Sequence, residues 1–257
     1  MSIYQHFRNE EHEFIDKVVS WKEFVQNAYS CKLTDFLDPR EQEILSSIIG
    51  QNGEVQFSLN GGHPNAERKR AFIFPDYMTP REDDFQLTAF EVQYAQKFLS
   101  IEHRHVLGAL MNIGLKRSKY GDISISGKDV FIVVSKEIAD FVIMELKEIG
   151  KASISLKAIP IQQVKLETEK WEEASTTASS LRIDTIISSV YNFSRQKAQM
   201  LIQGQKVKVN WKLIDQTSFE CEQGDVISVR GFGRSKLVSI DGKTKREKYR
   251  IIVGKQK

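Results

Sequence analysis

Ile183, Ile186, Ile187 and Val190 recur at i, i+3, i+4 and i+7, the spacing of one buried helical face. Asp184 falls in the first turn of that helix, where the dipole favours an anion. Asn192-Phe193 makes a turn, and Ser194 can cap a second helix, Arg195–Gln203, burying Ala198, Leu201 and Ile202. Gly204 suits the left-handed position just past its end. The period then drops to two. Strands are expected over Lys206–Asn210 and Asp225–Arg230, with Asn210-Trp211-Lys212 at the first turn. Two short helices followed by strands make a small α+β module.

Charge sets this segment apart. The whole chain of 257 residues has a net charge of only +3. Residues 181–257, however, carry 16 basic and 7 acidic side chains, net +9, whereas residues 1–80 are net −4, 81–160 neutral and 161–180 net −2. A concentrated positive field attracts polyanions, so a nucleic acid or an anionic surface is the expected partner. No run of uncharged residues exceeds Val55 to Ala66, too short for a membrane span of ~20 apolar residues. The start, MSIYQHFRNEEHEF, has no apolar stretch behind a basic one and does not read as a signal peptide. Cys31 and Cys221 form no metal or disulfide pattern, so a reduced, cytoplasmic setting is expected.

The first ~50 residues read as helical. Phe14, Val18, Trp21 and Val25, with Ile15 and Val19, make one apolar face. A second helix is punctuated by Asp38 as cap, Pro39 at its first position, Glu41 completing a capping box and Gly50 at its end. Val55–Leu59 and Ala71–Phe74 flank Gly61-Gly62-His63-Pro64-Asn65 as a hairpin, with Arg68-Lys69-Arg70 on the second arm. From Phe85 the pattern is βαββαβ: strand Phe85–Tyr94, helix Arg104–Gly114, strands Asp122–Ser126 and Val130–Ser135, helix Glu137–Ile149, strand Ala152–Ile159. That is the ferredoxin-like order shared with RNA-recognition-motif domains. Its GKDVFIVVS strand lacks the surface aromatics on which such domains stack bases, so an RNA-reading sheet is not expected here. The resulting division is 1–80, helices plus hairpin; 81–160, ferredoxin-like; 161–180, a Ser/Thr-rich linker ending in WEEASTTASS; and 181–257, the basic module.

Arg182-Ile183-Asp184, Ser194-Arg195, Ala198 to Asn210 and Gly224-Asp225-Val226-Ile227-Ser228-Val229 together resemble the S-four (αL) RNA-binding domain. Trp211 stands where that family usually has Gly after the Asn. Gly61-Gly62 with Ala66-Glu67-Arg68-Lys69-Arg70, and Gly108-Ala109-Leu110 leading through Leu115-Lys116-Arg117 to Tyr120-Gly121-Asp122-Ile123, resemble the YlmH-like family of bacterial S-four-domain proteins over nearly the full length. The basic module is similar to that of heat-shock protein fifteen, which acts on large ribosomal subunits carrying a stalled nascent chain on tRNA. The resemblance implies binding of structured ribosomal RNA, with the large ribosomal subunit and tRNA as partners, in translation quality control.

The expected RNA-binding residues are Arg182, Ser194, Arg195, Lys197, Lys206, Lys208, Asn210, Trp211, Lys212, Arg230, Arg234 and Lys236. Ser194 leaves amides at a helix start to meet a phosphate, and Arg195 beside them adds a bidentate donor. Lys206 and Lys208 share one side of a strand whose Val207 and Val209 face the core. Arg230, Arg234 and Lys236 surround Gly231-Phe232-Gly233, whose missing side chains permit close backbone approach. Such contacts read phosphates and shape more than base sequence. Two readings stay open for Arg182, an RNA contact or a partner for Asp184, and Lys243-Lys245-Arg246-Lys248 is either RNA-facing or a solvated face. Asn210 reads first as a turn former.

No catalytic pattern stands out. Gly231-Phe232-Gly233 lies between strands rather than before a helix, and no phosphate loop is present. His103 and His105 open a helix with no Cys or third His near, and Asp83-Asp84 reads as the entry to an element. Leu181-Arg182-Ile183-Asp184 is faintly similar to the R-L-D of pseudouridine synthases but belongs to the S-four helix. The expectation is a monomeric, non-catalytic RNA-binding protein without metal, cofactor, membrane or small-molecule substrate. Two alternatives compete: a protein-interaction adaptor, for example in cell division, whose N-terminal 160 residues bind a protein while the basic tail binds RNA loosely, a reading motivated by the acidic, aromatic-containing first helix (Glu10–Ala28), and an RNA-modifying enzyme.

Overall fold

The computed structural model describes Tyr4, Phe7 and residues 11–50, 53–165 and 171–256. The chain divides into two compact units, Met1–Glu167 and Thr168–Lys257.

In the first unit, α1 (His12–Ala28) buries Ile15, Val18 and Val25, three residues of the expected apolar face. Glu10, which opens the acidic stretch singled out in the sequence, lies outside the described residues. The chain does not continue as helix throughout its first fifty residues: Lys32–Leu37 is a strand, β1. Local helical spacing is overridden there by pairing, since β1 lies antiparallel to β3 (Lys69–Pro75), with Leu33 opposite Phe72. Then α2 (Pro39–Ile49) begins with the expected capping box. Asp38 accepts from the Glu41 amide at 3.0 Å, and Glu41 accepts from the Asp38 amide at 2.7 Å. The hairpin of β2 (Val55–Asn60) with β3 completes a sheet of order β1-β3-β2.

The same unit holds a second sheet of β4 (Leu87–Gln93), β5 (Tyr120–Ser126), β6 (Asp129–Ser135) and a later strand, β9 (Ser155–Ile159). Their order, β5-β6-β4-β9, all antiparallel, is the ferredoxin-like arrangement. One face packs on α3 (His103–Asn112) and α4 (Ala139–Glu145) through Phe90, Val92, Ile132, Val106, Leu110 and Val142. The second helix is shorter than its apolar spacing suggests. Lys136–Ile138 is a 3-10 turn, and Glu148–Ile149 (β7) pairs with Ala152–Ser153 (β8) around Gly150, whose φ of 62° favours glycine.

The opposite face of this sheet is covered too. Phe36 of β1, together with Val164, Ile159 and Ile161, packs against Ala89, Phe131 and Val133. Phe131, the one aromatic of the GKDVFIVVS strand, is therefore buried. Arg70 belongs to the expected basic cluster on the hairpin but does not reach solvent. It is 4% exposed, and its guanidinium donates to Thr34 O at 2.7 Å, Gln86 O at 3.0 Å and both Glu137 oxygens at 3.1 and 3.2 Å.

The second unit begins with the main departure from the expected organisation. Residues 166–170 of the expected linker lie outside the described residues, but Trp171–Ala178 is a strand, β10, paired along its whole length with β15 (Tyr249–Gln256). WEEASTTA shows no apolar alternation because β10 lies at a sheet edge, largely exposed on both faces. The sheet runs β10-β15-β14-β13-β11-β12, with β11 (Val207–Val209), β12 (Lys212–Leu213), β13 (Val226–Val229) and β14 (Gly233–Lys243). On its inner face lie α5 (Ile183–Tyr191) and α6 (Arg195–Gln203), whose Ile183, Ile186, Ile187, Ala198 and Ile202 meet Val207, Val209, Ile227, Val229 and Leu237. No helix among the described residues is long and apolar enough to cross a membrane.

Candidate nucleic-acid interface

The interface is built outward from Asp184. A carboxylate in the first turn of α5 need not be buried, yet Asp184 is 0% exposed. It accepts from Arg182 at 3.2 and 3.4 Å, from Arg195 Nε at 3.0 Å and from Gln199 Nε2 at 3.0 Å. Burial pushes its pKa up, but the bonds from Gln199, Arg182 and Arg195 outweigh that and bring it down to about 2. Asp184 is thus a buried anchor holding two arginines and the start of α6, more than a dipole partner at a helix end. Of the two readings for Arg182, the structure shows the pairing. Sequence reasoning missed Gln199, although its spacing of four from Arg195 places both on one helix face.

At the head of α6, Ser194 accepts from the Lys197 amide at 3.2 Å. That takes one first-turn amide, while those of Arg195 and Gln196 have no partner within the helix and can meet an anion. Past the end of α6, Gly204 has an ordinary φ of −80°, and Gln205, at φ 54°, takes the left-handed position instead. A Cβ on Gly204 would lie 3.0 Å from Met200 O, so close packing on the last helical turn is what glycine serves here.

The sheet places the next group of cations. Val207 and Val209 are buried and Lys208 is exposed, as alternation requires, while Lys206 lies just outside the strand. Lys208 pairs across to Ser228, and Ser228 to Arg234, so these three stand in one row on the outer face. Lys236, two residues beyond Arg234, shares that face. Asn210 and Trp211 form a tight turn with φ of 47° and 63°, closing Val209 onto Lys212. The Asn210 side chain is engaged at both ends, donating to Asp225 at 2.8 Å and accepting from the Val226 amide at 2.9 Å. It organises the turn, and an RNA contact by its amide would need those bonds broken. Trp211 takes the position where glycine is preferred, and the Arg234 guanidinium lies over its ring at 5.4 Å.

Elsewhere, Lys243 pairs with Glu247 at 3.1 Å across a turn at residues 244–248, largely exposed, which fits a solvated face. His103 and His105 lie in the first turn of α3, and Asp84 accepts from the Arg81 amide at 2.8 Å at the start of a 3-10 turn. Cys221 is buried, and burial pushes its thiol up to about 12, which removes it as a nucleophile.

An α+β chain whose last unit packs two short helices on one face of a sheet and lines the other with cations is an RNA-binding protein of the S4 type. Residues 181–227 match the family model described as "S4 domain", residues 10–78 "YlmH, N-terminal", and residues 80–163 "Putative RNA-binding domain in YlmH". A relative from Bacillus subtilis (strain 168), "Ribosome-associated protein quality control protein P2", is 50% identical over 255 residues, 99% of either chain. A solved structure, "Cell division protein ylmH from Streptococcus pneumoniae", is 30% identical with a TM-score of 0.55, covering 65% of this chain and 100% of its own. The chain belongs to the YlmH family.

Proposed function

We propose that this protein is a non-catalytic, cytoplasmic RNA-binding factor that docks on structured ribosomal RNA of the large subunit, with tRNA within reach, in ribosome-associated quality control. The observation that carries the reading is the outer face of the second unit, where Lys208, Ser228 and Arg234 form one row and Lys236 extends it. With the first-turn amides of α6 and the anchored Arg182 and Arg195 at the helix pair, this spacing suits backbone phosphates of a folded RNA. The relative named for ribosome-associated quality control is 50% identical over 99% of the chain, which supports the same setting here. The central strands of the ferredoxin-like sheet, β4 and β6, are covered on both faces and carry no exposed aromatic on which a base could stack, so the reading assigns the main RNA contact to the second unit.

Sedimentation through a sucrose gradient tests it. The wild type is expected to travel with large ribosomal subunits and to dissociate as salt rises, with log K falling by about 0.7–0.9 per log unit of salt for each phosphate contact. Lys206→Glu with Lys208→Glu should release it. Arg195 is left unaltered in this test, because reversing its charge would set a second carboxylate against buried Asp184. Unchanged sedimentation of the double variant, or travel of the wild type with neither subunit, would overturn the reading.

A further inference from the structure

The loop joining β13 to β14 holds a large apolar side chain toward solvent in a segment flanked in sequence by Arg230 and Arg234. Phe232 is 41% exposed at the tip of Arg230-Gly231-Phe232-Gly233-Arg234. Gly231 and Gly233 have φ of 87° and 89°, a backbone that side chains rarely adopt, and a Cβ at either would meet only open space. What fixes the loop is therefore its conformation, and that conformation projects the phenyl ring.

The ring is not alone. It meets Phe193 edge-on, centroids 4.6 Å apart at 72°, and Phe193 stacks on Tyr191 at 5.6 Å and 20°. Tyr191 is held in place by its hydroxyl, 3.3 Å from Gly233 O, which it donates to. Cations line the trio. Lys197 Nζ lies 4.2 Å from the Phe193 centroid and 5.1 Å from that of Phe232, and Lys255 Nζ lies 5.6 Å from Tyr191. The three rings come from the α5–α6 junction and a hairpin about 40 residues away, converging beside the first turn of α6 that the phosphate reading uses.

We propose that Phe232, backed by Phe193 and Tyr191, is a stacking platform for one unpaired base of the bound RNA. An aromatic face flanked by the ammonium groups of Lys197 and Lys255 matches a ligand that carries an aromatic plane and a phosphate within a few ångströms of each other, and a nucleotide is such a ligand. An apolar peptide would match the rings but leave the cations without counter-charge. The inference rests on the RNA-binding reading and deepens it: the phosphate contacts hold folded RNA, and the platform selects places where a base is flipped out of the helix.

The test uses the full chain and two RNA hairpins, identical except that one carries a single bulged 2-aminopurine. The wild type should bind the bulged hairpin about tenfold more tightly than the paired one, as one stacked base provides, and change the 2-aminopurine fluorescence on binding. Phe232→Leu should bind the two hairpins alike, at the wild-type affinity for the paired one, and Phe232→Trp should restore both preference and fluorescence change. Equal binding of the two hairpins by the wild type, or an unaltered preference in Phe232→Leu, overturns the platform. In either case salt-dependent binding that Lys206→Glu with Lys208→Glu abolishes leaves the RNA-binding reading standing. If the wild type binds neither hairpin, the platform falls, and sedimentation with large ribosomal subunits decides the RNA-binding reading separately.

Discussion

Arg195 Nε lies 3.0 Å from Asp184 Oδ2, and Asp184 is wholly buried at the start of the preceding helix. The same guanidinium that faces a phosphate in the proposed complex is thus a structural cross-brace between α5 and α6 in the free protein. Affinity and stability are coupled through it. Arg195→Ala should lower both, whereas Lys208→Ala, at an exposed position of β11, should reduce the salt slope of RNA binding by about 0.7–0.9 and leave the thermal midpoint where it was. Parallel melting curves and salt titrations of the two variants separate these effects.

The Asp184 carboxylate has a folded pKa of about 2, below the ~3.9 of an unfolded chain. A depressed acid contributes stability that is complete above pH ~4 and disappears as pH falls through 4 toward 2. Asp184→Asn removes that titration and weakens bonds from two arginines, at a cost of about 1–3 kcal/mol near neutrality. Urea unfolding of the second unit between about pH 6 and pH 2.5 should therefore show a flatter acid limb for the variant, starting from a lower plateau. Parallel curves for the two proteins would mean that Asp184 is not the group that titrates.

Trp211 sits at φ 63° in a two-residue turn, and Asn210 before it at 47°. Asparagine tolerates that region; a tryptophan there is strained by about 1–2 kcal/mol. Its contact with Arg234 returns about 0.5–1 kcal/mol at such an exposed site. Relief of strain exceeds the loss of that contact, so Trp211→Gly should raise stability by about 0.5–1 kcal/mol, seen as a higher urea midpoint at unchanged slope. A lower midpoint would show that the ring's packing outweighs the backbone strain.

Which parts of this arrangement were legible in the sequence depends on the range of the interactions. The Asp38–Glu41 capping box and the α5 and α6 faces are set by neighbours three or four residues apart, and they read correctly. β1 and β10 are set by partners far along the chain: Leu33 by Phe72, and Trp171 by Gln256. KLTDFL follows a helix without an obvious break, and WEEASTTA is an edge strand with little to bury, so neither carries a strand signature of its own. The interface divides in the same way. Alternation identified Lys208, and the two-residue spacing offered the Arg182–Asp184 pair, but nothing local says that Arg195 and Gln199 share that buried carboxylate.

Arg70 tests how the first unit is held together. Its guanidinium donates to Thr34 O in β1, to Gln86 O just before β4 and to Glu137 just after β6, so one side chain ties the two sheets. Arg70→Ala leaves two carbonyl oxygens and a carboxylate without that donor, and the loss should reach about 3 kcal/mol or more. Arg70→Lys should recover little of it, because an ammonium cannot reproduce the planar fork. Native-state hydrogen exchange should report faster exchange in both β1 and β6 in the alanine variant; faster exchange in β1 alone would confine the role of Arg70 to its own sheet.

Phe36 and Gly121 share one site on the covered face of the ferredoxin-like sheet. Phe36 is 1% exposed and packs on Ala89, Phe131 and Val133, while a Cβ on Gly121 would fall 2.7 Å from the Phe36 ring. Phe36→Ala should cost about 3–5 kcal/mol by leaving a cavity. Gly121→Ala should cost about 1–3 kcal/mol by overpacking against a ring that its neighbours hold in place. In the double variant the new methyl enters the space the ring has left, so the two costs should fall short of their sum by about 1 kcal/mol or more. Urea unfolding of all four proteins closes the cycle. Additive costs would mean that the ring moves aside freely, and the covered face would then be a loosely packed one. RNA affinity measured well below the melting temperature should stay unchanged throughout, since the proposed contact lies in the second unit; a loss in Phe36→Ala would make this sheet an RNA-facing surface after all.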